Sequence, residues 1–206
     1  RPERLDWWMN GVDTDYFNPA VTPALDQEAP DVVFTGAMDY WANIDAVMWF
    51  KTHVWPSLRA AKPDITFAIV GARPPAQITK LDGQDGILVT GRVEDVRPWI
   101  GAAKISVAPL RIARGVQNKV LEAMAMARAI VASPEAATGI DAARDGVEID
   151  LAATPDEMVG AILNLLASPQ KATARGEAAR ACTLKNYRWD AQLQRFAAHL
   201  PPGDFL

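Results

Sequence analysis

The sequence is poor in the residues that build disulfides and metal centres. Its 206 residues include one cysteine, Cys182, and two histidines, His53 and His199. One cysteine excludes a disulfide within the chain and a cysteine-based metal cluster, and two isolated histidines provide no ligand set. We therefore expect no metal site. The scarcity of cysteine fits a reducing compartment, which predicts a cytoplasmic protein.

The sequence also lacks a long apolar run and an excess of basic residues. No run reaches the ~18 to 20 apolar residues that a membrane span requires. The net charge is -4 and the isoelectric point is about 5.2, whereas a nucleic-acid binder usually presents a basic face. We expect neither a membrane span nor a nucleic-acid partner.

Short apolar runs alternate along the chain with segments of helical spacing. The runs predict strands at 31–36, 65–70, 87–90, 105–108, 129–132 and 147–151. Such alternation predicts an α/β fold, a Rossmann-like doubly wound parallel sheet of about six strands with helices on both faces. The strand order should reverse near the loops after residues 36 and 110, where such sheets bind ligands.

Capping and breaking residues mark several of the predicted helices. Asn43 is a candidate N-cap for the first helix, and Pro56 should interrupt that helix. Further helices are predicted at 74–81, 96–103, 115–127, 155–167 and 189–199.

The loop and helix after the fourth predicted strand carry the most chemistry. Arg111 and Arg114 lie in the loop, and Gly115 lets the backbone turn into the helix. Free amides at a helix N-terminus form a phosphate-binding site, and Lys119 adds a third positive charge near it. We predict that the three cations converge on one anion site there. The alternative is three solvated cations around a loop.

Lys119 and Glu122 are three residues apart and share one face of this helix. A glutamate one turn beyond a phosphate-binding site is well placed to accept two hydrogen bonds from ribose hydroxyls. A surface ion pair between the two residues, worth a few tenths of a kcal/mol, is the alternative. Their spacing alone does not decide between the two.

The string Gly115…Asn118-Lys-Val-Leu-Glu-Ala-Met-Ala125 resembles the donor-site helix of retaining GT-B glycosyltransferases of the sucrose-synthase-like, lipopolysaccharide-sugar family. The stretch at 34–43 is most similar to sugar transferases of bacterial exopolysaccharide and PEP-CTERM systems. Other stretches resemble family features in the same order: the interdomain linker (10–19), the first strand of the second domain (33–36), the next strand ends (69–71 and 90–93) and the start of the terminal helix (187–189).

The resemblance implies the C-terminal half of a GT-B fold. Residues 1–30 would be an interdomain linker, 31–185 a nucleotide-sugar-binding Rossmann-like domain, and 186–206 a C-terminal helix and tail. The donor nucleotide-sugar would be a co-substrate and no cofactor is expected. The chain opens with Arg-Pro-Glu rather than Met, so we expect a piece that lacks its N-terminal acceptor domain and is inactive alone.

The resemblance also implies roles for individual residues. Glu122 would bind ribose hydroxyls, the amides of Gly115 and Val116 would bind phosphates, and the backbone of Arg92 and Val93 would border the base. It assigns no catalytic residue.

Further residues around the expected site keep two interpretations. Gly36 belongs to the expected donor site, but for Gly36, Gly71 and Gly91 a simple strand-end turn is an equal alternative. Tyr40 and Trp41 either line the cleft or cap the sheet edge.

The sequence departs from the family at several of these positions. The family commonly has two glutamates eight positions apart, and here Arg114 replaces the first while Glu122 is the second. Ala37 and Ala42 stand where the family often has basic residues, so Arg111, Arg114 or Lys119 would have to supply that charge. Ala127 replaces the usual glycine after the helix.

Three functions remain compatible with the sequence. The first is a retaining transfer of a sugar to a cell-surface or exopolysaccharide acceptor, in the cytoplasm or at the inner face of the membrane. The second is a GT-B sugar-nucleotide epimerase, and the third is a non-catalytic α/β binding module. A dinucleotide-dependent oxidoreductase is disfavoured because no Gly-x-Gly-x-x-Gly follows the first predicted strand.

Overall fold

The computed structural model describes residues 10–190 and 192–193, which form a single sheet with helices around it. The strands are β1 (Val32–Thr35), β2 (Phe67–Val70), β3 (Ile87–Gly91), β4 (Ile105–Ala108), β5 (Ala129–Ala132) and β6 (Asp150–Leu151). Their order is β3-β2-β1-β4-β5-β6, and every neighbouring pair is parallel. The order reverses between β1 and β4, which confirms the predicted doubly wound sheet and its switch point.

The helices differ from the predicted ones at several ends. They are α1 (Trp41–His53), α2 (Trp55–Ala61), α3 (Ala76–Thr79), α4 (Arg97–Ala102), α5 (Asn118–Ala125), α6 (Pro155–Ala167) and α7 (Pro169–Asn186). The break before Pro56 is confirmed. The prediction that Asn43 caps α1 is wrong, because Tyr40 is the N-cap and Asn43 is buried inside the helix. Most of the predicted 189–199 helix lies outside the described residues.

The strands of the sheet centre are buried on both faces. Val32 and Phe34 of β1 pack into the larger core with α1 and α2, whereas Val33 packs on the other face against Trp99 of α4. This two-sided burial explains why β1 is a continuous apolar run rather than an alternating one.

Two strand ends approach each other unusually closely beside the switch point. Gly36 follows β1 and donates its amide to Val70 O at 3.0 Å. A Cβ atom at Gly71, which follows β2, would lie only 1.7 Å from Gly36 O. Gly71 is therefore required by packing, which favours the structural interpretation of this glycine over a ligand-binding one.

The segment before β1 is attached to the end of α7. Val12 N donates to Tyr187 O at 2.7 Å, and Gly11 packs directly against the Trp189 ring. Arg180 of α7 donates to Phe17 O at 3.1 Å. Two of the stretches that resemble family features thus meet in space. The boundaries proposed at residues 30 and 185 stay predictions.

Candidate functional site

A cleft of about 680 Å³ opens beyond the carboxyl ends of β1, β2 and β4. The loops after β1, β2 and β3 form one side of it, and the β4–α5 loop with the first turns of α5 forms the other. The predicted donor-site residues that line it are Gly36, Arg92, Val93, Arg114, Val116, Lys119 and Glu122. The sequence therefore predicted the position of the cleft, although the ligand of each residue stays a prediction.

Lys119 crosses the cleft from α5 towards the end of β1. Its Nζ donates a hydrogen bond to Asn43 Oδ1 and lies 4.2 Å from the centroid of the Phe34 ring. Burial lowers the pKa of Lys119 to about 7, while the nearby Glu122 carboxylate opposes that shift. A small increase in local negative charge would therefore change the protonation of Lys119 near neutral pH.

Glu122 lies one turn further along α5 and is half-buried. Burial raises the pKa of its carboxyl group, and the charge of Lys119 works against this rise. No ion pair within the described residues joins Glu122 to Lys119, and no hydrogen-bond donor reaches the Glu122 carboxylate there. The surface ion-pair interpretation is therefore wrong, because both side chains line the cleft without forming an ion pair.

The predicted convergence of three cations is wrong for Arg111. Its Nε donates to Asp45 Oδ2 of α1 at 3.0 Å, and the pair raises the pKa of Arg111. Arg111 does not line the cleft, whereas the exposed Arg114 does. Sequence reasoning missed this pairing because Asp45 is 66 positions away along the chain.

The helix α5, which is predicted to bind an anion at its N-terminus, begins later than predicted. Gly115 keeps the expected positive φ of +67° but lies in the loop and does not line the cleft. Gln117 is the N-cap, so the free first-turn amides begin at Asn118 rather than at Gly115. Val116 lines the cleft from the loop.

Several cleft residues were not predicted as part of the site. Asn43 holds Lys119, and Asn10 Nδ2 donates to Asn118 Oδ1 at 2.7 Å, so the N-terminal segment reaches the cleft. Of the two aromatic residues predicted either to line the cleft or to cap the sheet edge, Tyr40 lines the cleft, whereas Trp41 lies outside its lining with about half of its surface exposed. Asparagines give no charge or spacing signal, so only tertiary contacts reveal them.

Arg73 is a further cation at the cleft, on the loop after β2. It adopts a left-handed φ of +55°, which is uncommon for a side chain of this size, and its guanidinium pairs with Asp39. The hydrogen bond from Arg73 lowers the pKa of Asp39. This side of the cleft thus carries a cation whose charge is already balanced.

The fold and the cleft define a Rossmann-like domain with a cleft at the switch point of its sheet. Residues 29–168 match the family model of the glycosyl transferases group 1, and the chain belongs to that family. No curated protein sequence matches the chain.

Solved glycosyltransferase structures share this fold. A glycosyltransferase from Rickettsia africae is 16% identical, with a TM-score of 0.75, and the match covers 92% of this chain and 54% of that one. Anabaena HepE, solved with UDP-glucose, is 16% identical with a TM-score of 0.74, covering 96% and 57%. The C-terminal domain of LpcC, a group 1 family protein from Francisella tularensis, is 16% identical with a TM-score of 0.65, covering 87% and 100%.

The matches with solved structures cover different shares of the proteins compared. The chain spans about half the length of the first two proteins, and it matches the whole of the LpcC C-terminal domain. This confirms the predicted fold, that of the C-terminal half of a GT-B fold. Among the described residues, no helix combines the length and the apolar character needed to cross a membrane.

Proposed function

We propose that this chain is the donor-binding half of a retaining glycosyltransferase and that its cleft holds the nucleotide-sugar. The observation that carries the proposal is that α5 presents to the cleft both a cation and an acid, and that this acid has no hydrogen-bond partner among the described residues. Lys119 and Glu122 both face a cleft of the right size for a small ligand. The reaction needs the nucleotide-sugar as co-substrate and no other cofactor.

Each cleft group has a role in this proposal. The Lys119 ammonium and the free amides at the start of α5 bind the diphosphate and stabilise it as the leaving group. Glu122 accepts hydrogen bonds from the ribose hydroxyls, and the Arg92–Val93 backbone borders the base. Arg114, which stands where the family has an acid, lies near enough to the cleft to contact the sugar.

The UDP complexes of Anabaena HepE support a nucleotide ligand for a cleft on this fold. The acceptor domain is expected on another part of the full protein, and the acceptor is a cell-surface or exopolysaccharide glycan. The enzyme acts in the cytoplasm or at the inner face of the membrane.

Calorimetry with a panel of nucleoside diphosphates, beginning with UDP, tests the proposal. We expect UDP to bind much more tightly than uridine, with affinity that falls as salt is added, because the diphosphate provides most of the attraction. Equal binding of nucleoside and nucleoside diphosphate would contradict the site, and no binding of any nucleotide would favour a non-catalytic module.

Turnover separates the two enzymatic functions. The full-length protein should release nucleoside diphosphate only when an acceptor is present, whereas an epimerase needs no acceptor. This chain alone should transfer no sugar, because catalysis in a two-domain cleft needs closure around both substrates.

A further inference from the structure

We propose that Asn43 is a positioning residue that holds the Lys119 ammonium in the cleft without neutralising its charge, so that the charge stays available to an anionic ligand. This inference rests on the proposed function for the identity of that ligand, a nucleoside diphosphate. It assigns to a buried polar side chain of α1 a task beyond its hydrogen bond to the loop after β1.

The orientation of the Asn43 amide is fixed by its surroundings. Asn43 is 7% exposed, and its Nδ2 donates to Ala37 O at 2.8 Å. A backbone carbonyl can only accept, so the amide nitrogen must face Ala37 and the Oδ1 must face Lys119. The loop after β1 therefore determines which atom is presented to the ammonium.

The backbone around this contact leaves no spare room. A Cβ atom at Gly36 would lie 2.7 Å from Asn43 Nδ2 and 3.1 Å from Lys119 Nζ. The absence of a side chain at Gly36 therefore leaves the space that both groups occupy. This is a second reason, besides the turn at the end of β1, why position 36 is a glycine.

Lys119 differs from two nearby cations in having a neutral hydrogen-bond partner rather than a carboxylate. Arg73 is balanced by Asp39, and Arg111 is balanced by Asp45. Lys119 is held instead by the amide oxygen of Asn43, which accepts a hydrogen bond from one of its three N–H groups. The positive charge and the other two N–H donors stay available to a ligand. A carboxylate at position 43 would hold Lys119 more strongly but would compete with the diphosphate.

The substitutions Asn43→Asp and Asn43→Ala test the proposal in opposite ways. The pKa of Lys119 is followed in the ligand-free chain by NMR of its Cε, and UDP affinity is measured by calorimetry from pH 7 to pH 9. The charged groups that line the cleft with Lys119 are Glu122 on α5, which acts on its pKa, and the cations Arg73, Arg92 and Arg114. All of them remain in both variants.

Asn43→Asp should raise the pKa of Lys119 and weaken UDP binding about tenfold at pH 7, with no remaining pH dependence. Asn43→Ala should lower the pKa further and weaken binding several-fold, with the pH dependence retained. Asp45→Asn is the matched control, because it removes a partner of Arg111 outside the cleft and should leave both readouts unchanged. Thermal unfolding establishes that each variant is folded.

Two results would overturn the inference. If both Asn43 variants left the Lys119 titration unchanged, Asn43 would have only a packing role. If Asn43→Asp bound UDP as tightly as the parent chain, the neutrality of the amide would be irrelevant. Failure of the parent chain to bind UDP or any other nucleoside diphosphate, with the Lys119 titration responding as expected, would instead refute the nucleotide ligand and with it the proposed function.

Discussion

The two sides of the cleft are built on different principles. The β1–β2 side is shaped by backbone packing, since Gly36 and Gly71 bring two strand ends into contact and the nearby Arg73 is already paired. The α5 side carries Lys119 and Glu122, which face the cleft without pairing with each other. Substitutions on the first side should therefore damage the fold, whereas substitutions on the second should damage binding and leave the fold intact.

The largest expected effect is on the packed side, at Gly71. Gly71→Ala places a Cβ atom 1.7 Å from Gly36 O, and a backbone carbonyl cannot move aside cheaply. We expect a loss of about 4 kcal/mol in the free energy of unfolding, above the usual cost of overpacking. Urea denaturation measures it.

Gly160→Ala is the matched control for Gly71→Ala. Gly160 lies inside α6, and a Cβ atom there meets nothing within 4 Å. Alanine is the better helix former, so this variant should gain up to about 1 kcal/mol. A Gly71→Ala chain as stable as the parent would show that the strand ends can separate, and the two sides would not differ as described.

Glu122→Ala probes the other side. If Glu122 accepts two charge-assisted hydrogen bonds from ribose, UDP binding should weaken by about 2–4 kcal/mol, allowing for partial replacement by water. The free energy of unfolding should not fall, because the carboxylate is half-buried without a hydrogen-bond partner in the described part of the chain. Calorimetry and urea denaturation of the same sample measure both quantities.

Glu177→Ala is the control for that substitution. Glu177 is an exposed acid on α7, outside the residues that line the cleft, so its removal changes net charge equally. UDP affinity should stay within about twofold of the parent value. If Glu122→Ala behaved in the same way, Glu122 would have no part in binding.

The pH dependence of binding tests Lys119. Its pKa of about 7 in the empty cleft means that a bound diphosphate, which favours the charged ammonium, takes up a proton. UDP affinity should therefore fall as the pH rises, by about tenfold between pH 7 and pH 9. Lys119→Arg is the matched variant, because arginine stays charged in this range and should abolish the slope. A slope of equal size in that variant would assign the proton to another group.

The sequence predicted the fold well because its signals are local. Each short apolar run is long enough to identify a strand by itself, and the alternation with helices then restricts the topology. The helix α7 was missed because its buried side consists of small or polar residues such as Gly176, Ala179 and Thr183, which give no apolar periodicity.

The predicted residues that line the cleft all lie on loops or helix turns that follow the carboxyl ends of strands. Lys119 and Glu122 share a helix face beside a strand end, and the resemblance to the donor-site helix, rather than that spacing, predicted their place in the site. The partners of Arg111 and Lys119 lie on α1, 66 and 76 positions away, and no local pattern reports such a contact. Sequence reasoning therefore placed Arg111 in the cleft and overlooked Asn43.

The smallest expected effect concerns the turn that follows α5. It tests whether a residue there affects the stability of the fold through its backbone conformation, as Gly71 does on the β1–β2 side. Ala127 follows α5 where the family usually has glycine, and it retains a left-handed φ of +54°. A side chain in that conformation costs about 1 kcal/mol relative to glycine, partly offset by the greater entropy of glycine in the unfolded chain. Ala127→Gly should therefore raise the free energy of unfolding by up to about 1 kcal/mol, whereas Ala161→Gly inside α6 should lower it by about the same amount.

Urea denaturation of both variants gives the comparison, and UDP affinity should be unchanged because Ala127 does not line the cleft. If Ala127→Gly destabilised the chain, the methyl group at this turn would contribute packing that outweighs the strain, and the two sides of the cleft would be alike in depending on a tightly packed turn.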